Sequence, residues 1–444
     1  MIENQRRRLV ATYHEYPRDF WTLVVVTFID RLGGALLFPF FALYITHRFG
    51  VGMTQVGILF ALFAASSFVG TALGGAMTDR LGRKGMLIFS LVSTSISSVI
   101  MGLVNDLNTF FLLALLVGVF TDTGGPAFQA MVADLLPPAK RAEGYGIIRV
   151  AFNLSVTIGP AIGGFLAARS YLLIFLADAA ISLLTAIIVY YKLPETKPEL
   201  APGTQPETVT DTFRGYGRVL RDRVFMMFMG ASILMGLVYM NMNTTLGVYL
   251  RDLHNIPESG YGLILSLNAA MVVLFQFAIT RRLEGRPPLL MMAAGTLLYA
   301  FGFGLYGLVS SFTLFLLAMV VITIGEMVVA PVSQAISASL APEAMRGRYM
   351  AVFGFSFGIP FAVGPLLAGL VMDSFDPRLL WLIAFVLGLV ATAWFYALHR
   401  AEPLPAGAEA SHGLSAPVVS QQPPAGAFDP APIKAAPNEG GLDT

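Results

Sequence analysis

Twelve apolar segments follow one another along this chain, each of about 20 residues, and no other feature constrains the fold as much. They cover roughly 20–46, 56–78, 85–104, 109–133, 144–168, 171–191, 224–250, 260–280, 288–309, 312–340, 347–372 and 379–398. In lipid no water meets the backbone N–H and C=O groups, so a crossing segment must be a helix or a strand of a closed barrel. A helix needs about 20 residues to cross, whereas a strand needs about 9–11. Charged residues make up 12% of the chain, about half the usual share, and hydrophobic residues 56%. The expectation is an all-α membrane protein with 12 transmembrane helices, embedded in a lipid bilayer.

The chain also repeats itself. Displaced by 205 residues, Gly57 falls on Gly262, Pro126 on Pro331, Gln129 on Gln334 and Pro137 on Pro342. At the same offset Arg141 falls on Arg346, Gly159-Pro160 on Gly364-Pro365 and Gly164 on Gly369. One shared offset predicts two pseudo-symmetric six-helix bundles. The expected organisation is a first bundle over 1–191, a cytoplasmic linker over 192–222 and a second bundle over 223–400. A disordered cytoplasmic tail rich in Ala, Pro and Gly is expected over 401–444. The loops on one side of the bilayer hold Arg48, Arg169, Arg251 and Arg378, while nearly all the other Lys and Arg residues lie on the opposite side. The positive-inside rule then puts both termini in the cytoplasm of a multi-pass inner or plasma membrane protein. The first nineteen residues are polar and charged, so no cleavable signal peptide is expected.

Composition and motifs exclude several functions. A net charge of +1 gives no reason to expect a nucleic-acid partner. With no cysteine, disulfides and thiolate metal sites are ruled out. The five histidines, His14, His47, His254, His399 and His412, fall at span ends, in loops or in the tail. There is no HExxH, no GxSxG and no phosphate loop, so neither an enzyme nor an ATP-driven pump is expected, and no cofactor or metal.

Between the second and third spans the chain reads G-G-A-M-T-D-R-L-G-R-K-G. This resembles the signature of the major facilitator superfamily, G-x-x-x-D-R-x-G-R-[RK], with Gly75, Asp79, Arg80, Gly82, Arg83 and Lys84 at the prescribed positions. Glycines there allow a tight turn and close helix approach, and Asp79 can answer a helix N-terminus and the adjacent arginines. The resemblance implies a gate on the cytoplasmic side and covers nearly the whole chain apart from the tail. The fifth span contains I-G-P-A-I-G-G, with Gly159, Pro160, Gly163 and Gly164, which looks like the Gly-Pro motif of the drug:proton antiporter branch. Small residues and a proline let this span pack closely or bend.

The spans contain few charges, and each is expensive. Asp30 lies about ten residues into the first span, about 15 Å deep at 1.5 Å per residue. A charge at that depth costs about 2.5–3.5 kcal/mol. Its spacing to Pro39 resembles the first span of twelve-span drug:proton antiporters. A carboxyl taken out of water favours its protonated form, so an Asp30 that faces a central cavity would hold a proton and release it when a cation arrives. Arg31 is the next residue, about 100° around the helix, and is expected to point away and pair elsewhere. Glu326, in G-E-(x)4-P of the tenth span, resembles the glutamate that takes part in proton coupling in multidrug antiporters. The fourth span departs from that pattern: Ala114 stands where an arginine is often found. Asp122 in the same span either replaces that relay or pairs with Arg31 or Arg149. Arg149 lies about a turn inside the fifth span, within reach of the cytoplasmic surface, and Asp178 of the sixth span is read as nearer the outer side and structural.

In the seventh span Tyr239, Asn241, Asn243 and Thr245 alternate with methionines, and the eighth adds Asn268 and Gln276. Amides among pliable Met and aromatic side chains suit a weakly selective pocket, with Tyr239, Asn243 and Asn268 as the expected lining. The resemblance implies a secondary transporter with alternating access, exporting small amphipathic or cationic compounds in exchange for protons. Transport of a metabolite such as a sugar, amino acid or siderophore is the alternative. The expected partners are a small-molecule substrate, protons and the bilayer, and the expected state is a monomer.

Overall fold

The structure is a computed structural model and describes residues 15–121, 123–137, 140–197, 216–283, 285–342, 345–402 and 404. Asp122, most of the linker over 198–215 and nearly all of the expected tail lie outside the described residues. Among the described residues, twelve helices are long and apolar enough to cross a membrane. Spans 1 to 6 are Arg18–Phe49, Met53–Gly75, Arg83–Leu103, Leu107–Leu135, Gly144–Ala167 and Tyr171–Lys192. Spans 7 to 12 are Arg223–Thr244, Glu258–Leu283, Pro288–Tyr306, Phe312–Leu340, Arg348–Ser374 and Arg378–Ala401.

Local chemistry sets where these helices begin and bend. Pro39 has no N–H to give, and span 1 tightens there into a 3-10 turn over Phe38–Phe40 before continuing as Phe41–Phe49. The carboxylate of Asp222 accepts from the Phe225 N–H at 3.0 Å at the start of span 7, and Ser170 and Ser311 cap spans 6 and 10.

In the first half span 1 packs on spans 5 and 6, span 3 on span 6, and span 2 on span 4. The second half repeats the scheme: span 7 packs on spans 11 and 12, span 9 on span 12, and span 8 on span 10. Two pairs join the halves, span 2 with span 11 and span 5 with span 8. At one end of the molecule these pairs lie almost backbone to backbone. A Cβ built on Gly164 would come within 3.0 Å of the Gly262 Cα, so only small residues permit the approach. Polar contacts reinforce the same end. Tyr171 donates to Glu258 at 2.5 Å, and Arg251 donates to the Leu43 carbonyl at 3.1 Å and to Thr46 at 3.0 Å. Asp373 of span 11 accepts from the first two N–H groups of span 2, Met53 at 2.9 Å and Thr54 at 2.7 Å.

The buried apolar side chains divide the same way. One cluster runs through both halves and includes Phe40, Leu43 and Val56 with Leu246, Tyr249 and Tyr261. A second cluster, around Phe20, Leu23, Met86, Met131 and Val189, contains first-half residues alone. The halves therefore share one core at the Gly164 end, while the first half keeps a core of its own near Gly82.

Candidate functional site

Two cavities sit at corresponding places in the two halves. The second-half cavity has a volume of about 200 Å³ and is built around Glu326 of span 10. Tyr239 of span 7 donates to Glu326 Oε1 at 2.8 Å, and Asn268 of span 8 donates to Oε2 at 2.7 Å. The Asn268 amide also donates to Thr323 at 3.0 Å, and Thr323 donates to the Met319 carbonyl at 2.7 Å. Both carboxylate oxygens thus have a neutral donor, the arrangement that makes a charge tolerable in an apolar place. Met235, Met240, Tyr299, Phe353 and Phe357 supply the apolar walls. Ser232 lines the same cavity, and its buried hydroxyl has no hydrogen-bond partner among the described residues. Arg149 reaches into this cavity from span 5 of the other half, whereas its sequence position pointed to the cytoplasmic surface.

The first-half cavity has a volume of about 220 Å³ and is lined by Asp30, Arg31, Asp178, Ser90, Thr94 and Ser182, among others. The expectation that Arg31 points away from Asp30 is corrected here. Both line this cavity, and Arg31 Nε lies 3.7 Å from Asp30 Oδ2, too long for a hydrogen bond. The long aliphatic stem of Arg31 lets its head swing back across the helix face, and its guanidinium stands 6.0 Å from the Phe152 ring. Asp178, read from the sequence as lying apart near the outer side, shares the Asp30 cavity. It accepts from Ser98, and its Oδ1 fills the space a Cβ at Gly33 would need, 2.6 Å from that position.

The internal repeat relates the two cavities residue by residue. At the offset of 205, Thr27, Asp30, Gly34, Thr94 and Thr121 of the first cavity fall on Ser232, Met235, Tyr239, Tyr299 and Glu326 of the second. The positions are shared, but the acids are not.

The other sequence-predicted residues serve elsewhere. Gly82 takes φ +93° in the turn between spans 2 and 3, a conformation that favours glycine. Just beyond it, the Arg83 and Lys84 N–H groups donate to Glu195 at 2.8 and 3.1 Å, and Arg83 Nε meets Asp134 at 3.2 Å. Partial burial pushes the Glu195 carboxyl up, but the backbone N–H groups of Arg83, Lys197, Lys84 and Thr196 outweigh it and hold the group below its ordinary value. The expected close approach at Gly75 is not there: a Cβ on Gly75 would meet nothing within 4 Å, and Gly74, one residue earlier, is the glycine that abuts Thr123. The side chains of Asp79 and Arg80 lie outside the described residues. In the Gly-Pro motif, Gly159 abuts Ala35 and Gly163 abuts Leu36 of span 1, while Gly164 meets span 8, and the Pro160 carbonyl faces Gly262. Tyr239 lines the Glu326 cavity, and Asn268 touches Glu326 from behind the lining; Asn243 is partly buried and does not line that cavity.

The sequence profile of the Major Facilitator Superfamily matches residues 23–329 and 248–435. The chain belongs to this superfamily. It is a multi-pass membrane transporter and not an enzyme. It is 28% identical over 380 residues to a Na(+), Li(+), K(+)/H(+) antiporter of Planococcus maritimus, an alignment covering 79% of this chain and 89% of that one. It is 24% identical over 395 residues to the multidrug resistance protein MdtH of Shigella boydii, covering 85% and 94%. Among solved structures, a POT family transporter in complex with 5-aminolevulinic acid superposes with a TM-score of 0.72 at 16% identity, covering 87% of this chain and 96% of that chain. A point mutant of the nucleoside transporter NupG gives 0.72 at 15% identity, covering 86% and 100%. At such identities the structural likeness speaks for the fold alone.

Proposed function

We propose that this superfamily member is a proton-coupled antiporter that exports small amphipathic or cationic compounds by alternating access between its two six-helix halves. The observation that carries this reading is Glu326, a carboxyl held by Tyr239 and Asn268 in an apolar cavity that also takes Arg149 from the opposite half. An ionised Glu326 accepts from both donors. Once it takes a proton, one oxygen becomes a donor, and the Tyr239 hydroxyl can turn to accept from it. The carboxyl can therefore keep hydrogen-bond partners in either protonation state. A cation that enters between the Met and aromatic walls is attracted to the ionised form and so favours release of the proton. Asp30, facing its own cavity, is the second proton-carrying carboxyl of this scheme, and Asp122 stays a candidate for the same role. The names of two relatives, an alkali-cation/proton antiporter and a multidrug resistance protein, support exchange and export.

In this reading the protein is a monomer in the cell membrane with both termini cytoplasmic, following the Lys and Arg distribution. The bundles 1–191 and 223–400 rock about the cavities, and the loop around Gly82 gates the cytoplasmic side. One observation favours a second reading. Arg149 and Glu326 bring opposite charges to one cavity, which suits a zwitterionic metabolite such as an amino acid.

The test is proton movement in inside-out vesicles against a panel of lipophilic cations, sugars and amino acids. The expected result is that a lipophilic cation dissipates the pH gradient in the parent and fails to do so in Glu326→Gln. Dissipation by an amino acid alone would favour the second reading, and an undiminished response in Glu326→Gln would overturn the role given to that residue.

A further inference from the structure

The geometry points to an alkali-cation site in the first-half cavity, built from Asp30, Asp178 and Ser182 and separate from the Glu326 cavity. Three observations carry it. First, the Asp30 carboxylate accepts no hydrogen bond among the described residues; the positive charge beside it there is Arg31, at 3.7 Å and with a side chain 53% exposed. Second, Asp178 is 4% exposed and has only Ser98 as a hydrogen-bond partner among the described residues, through Oδ2. Its Oδ1 is lodged against Gly33, in a space that a side chain at that position would take. Third, Ser182 lies one turn further along span 6 on the same face, is 1% exposed and lines the cavity, yet its hydroxyl makes no hydrogen bond among the described residues. A cavity-facing hydroxyl that no protein group engages is free to coordinate a ligand.

Charge and size select the ligand. Counting Asp30, Asp178 and Arg31 as ionised leaves one net negative charge on the described lining, which a single monovalent cation balances. Carboxylate and hydroxyl oxygens are hard ligands suited to alkali ions, whereas a calcium site would call for six to eight oxygens and more carboxylates. A volume of about 220 Å³ holds such an ion with a few waters, each occupying about 30 Å³. The repeat-related positions of Asp30 and Asp178 in the second half are Met235 and Ile383, so that half has no equivalent set. The site shares Asp30 with the export reading, so a proton and a cation compete for that carboxyl, but it does not depend on which substrate is exported or on Glu326.

The test is equilibrium binding of 22Na+ to the purified full-length protein in nanodiscs, at constant ionic strength kept with N-methyl-D-glucamine chloride. The expected result is one saturable site per chain, displaced by LiCl or KCl and not by the organic salt. Binding is lost in Asp178→Asn, weakened about tenfold or more in Ser182→Ala, and unchanged in Glu326→Gln. Should Asp178→Asn fail to fold, Ser182→Ala decides, provided its gel-filtration profile and melting temperature match the parent. Absence of saturable sodium binding, binding of Ca2+ in preference to Na+, or parental binding in Ser182→Ala would each overturn the site. Loss of binding in Glu326→Gln with Ser182→Ala intact would move it to the other half. Vesicles that show no coupled proton movement while the purified protein still binds sodium would refute the export reading and leave this site standing.

Discussion

The two cavities occupy the same places in repeated halves, yet they treat a carboxyl in opposite ways. In the second half one acid, Glu326, is held from two sides by Tyr239 and Asn268 and walled by methionine and aromatic side chains. In the first half Asp30 and Asp178 share a space lined by small hydroxyl side chains, and Asp30 accepts no hydrogen bond among the described residues. The repeat explains the shared positions: Thr121 of one cavity is Glu326 of the other, and Gly34 is Tyr239. Duplication preserves where a side chain points. It does not preserve what the side chain is, so one scaffold offers a neutral-donor cradle on one side and an oxygen-rich pocket on the other.

The largest effect expected from breaking this contrast is at Glu326. Glu326→Gln keeps the shape and both neighbours but removes the exchangeable proton, and substrate-driven proton movement in inverted vesicles should disappear. Adding Thr121→Glu to that variant should restore nothing, because the repeat-related positions of Tyr239 and Asn268 are Gly34 and Phe63, whose side chains cannot donate. Rescue by the double variant would show the two cavities to be interchangeable.

Tyr239→Phe sharpens the same point with a smaller change. It deletes one donor to a carboxylate, an interaction worth about 1.5–3 kcal/mol, so coupled transport should fall about tenfold or more and the melting temperature should drop by a few degrees. A parental rate would mean that Asn268 alone supports Glu326.

Gly33→Ala probes the other cavity. The added Cβ would stand 2.6 Å from Asp178 Oδ1 and push the carboxylate out of its lodging. Overpacking of this kind costs about 1–3 kcal/mol, read as a melting temperature lowered by a few degrees, with the Glu326-dependent proton signal retained. The smallest effect is outside the membrane. Glu195 sits below its ordinary value, so its contribution is present above the unfolded glutamate value and is lost as pH falls through the lowered native one. Glu195→Gln should melt slightly earlier than the parent at neutral pH, and the two should converge in strong acid.

Much of this is legible in the sequence alone. Span lengths point to the twelve helices, the offset to the two bundles, and an acid in the middle of span 10 to Glu326. Three features are not legible there, for physical reasons. Asp178 joins Asp30 because Gly33 leaves a notch for its carboxylate, and a notch exists only once two helices touch. Arg149 enters the second-half cavity because span 5 packs on span 8, so its depth along its own helix is misleading. Arg31 folds back toward Asp30 because a long side chain is not bound to the direction of its Cα–Cβ bond. In each case the deciding distance is between helices, whereas the sequence pattern describes positions along one. The repeat offers an unused signal: mapped back by the offset, the lining of the Glu326 cavity marks out much of the lining of the first-half cavity.

The bond from Asp373 to the start of span 2 has a consequence for solvent. Two backbone N–H groups at Met53 and Thr54 borrow their acceptor from the opposite half. Parting the halves at that end strips span 2 of its cap, and those N–H groups must then be met by incoming water. The equilibrium between sealed and open forms is thereby tied to water activity, so an osmolyte too large to enter the gap should hold the sealed form and slow transport in proportion to the water it withholds.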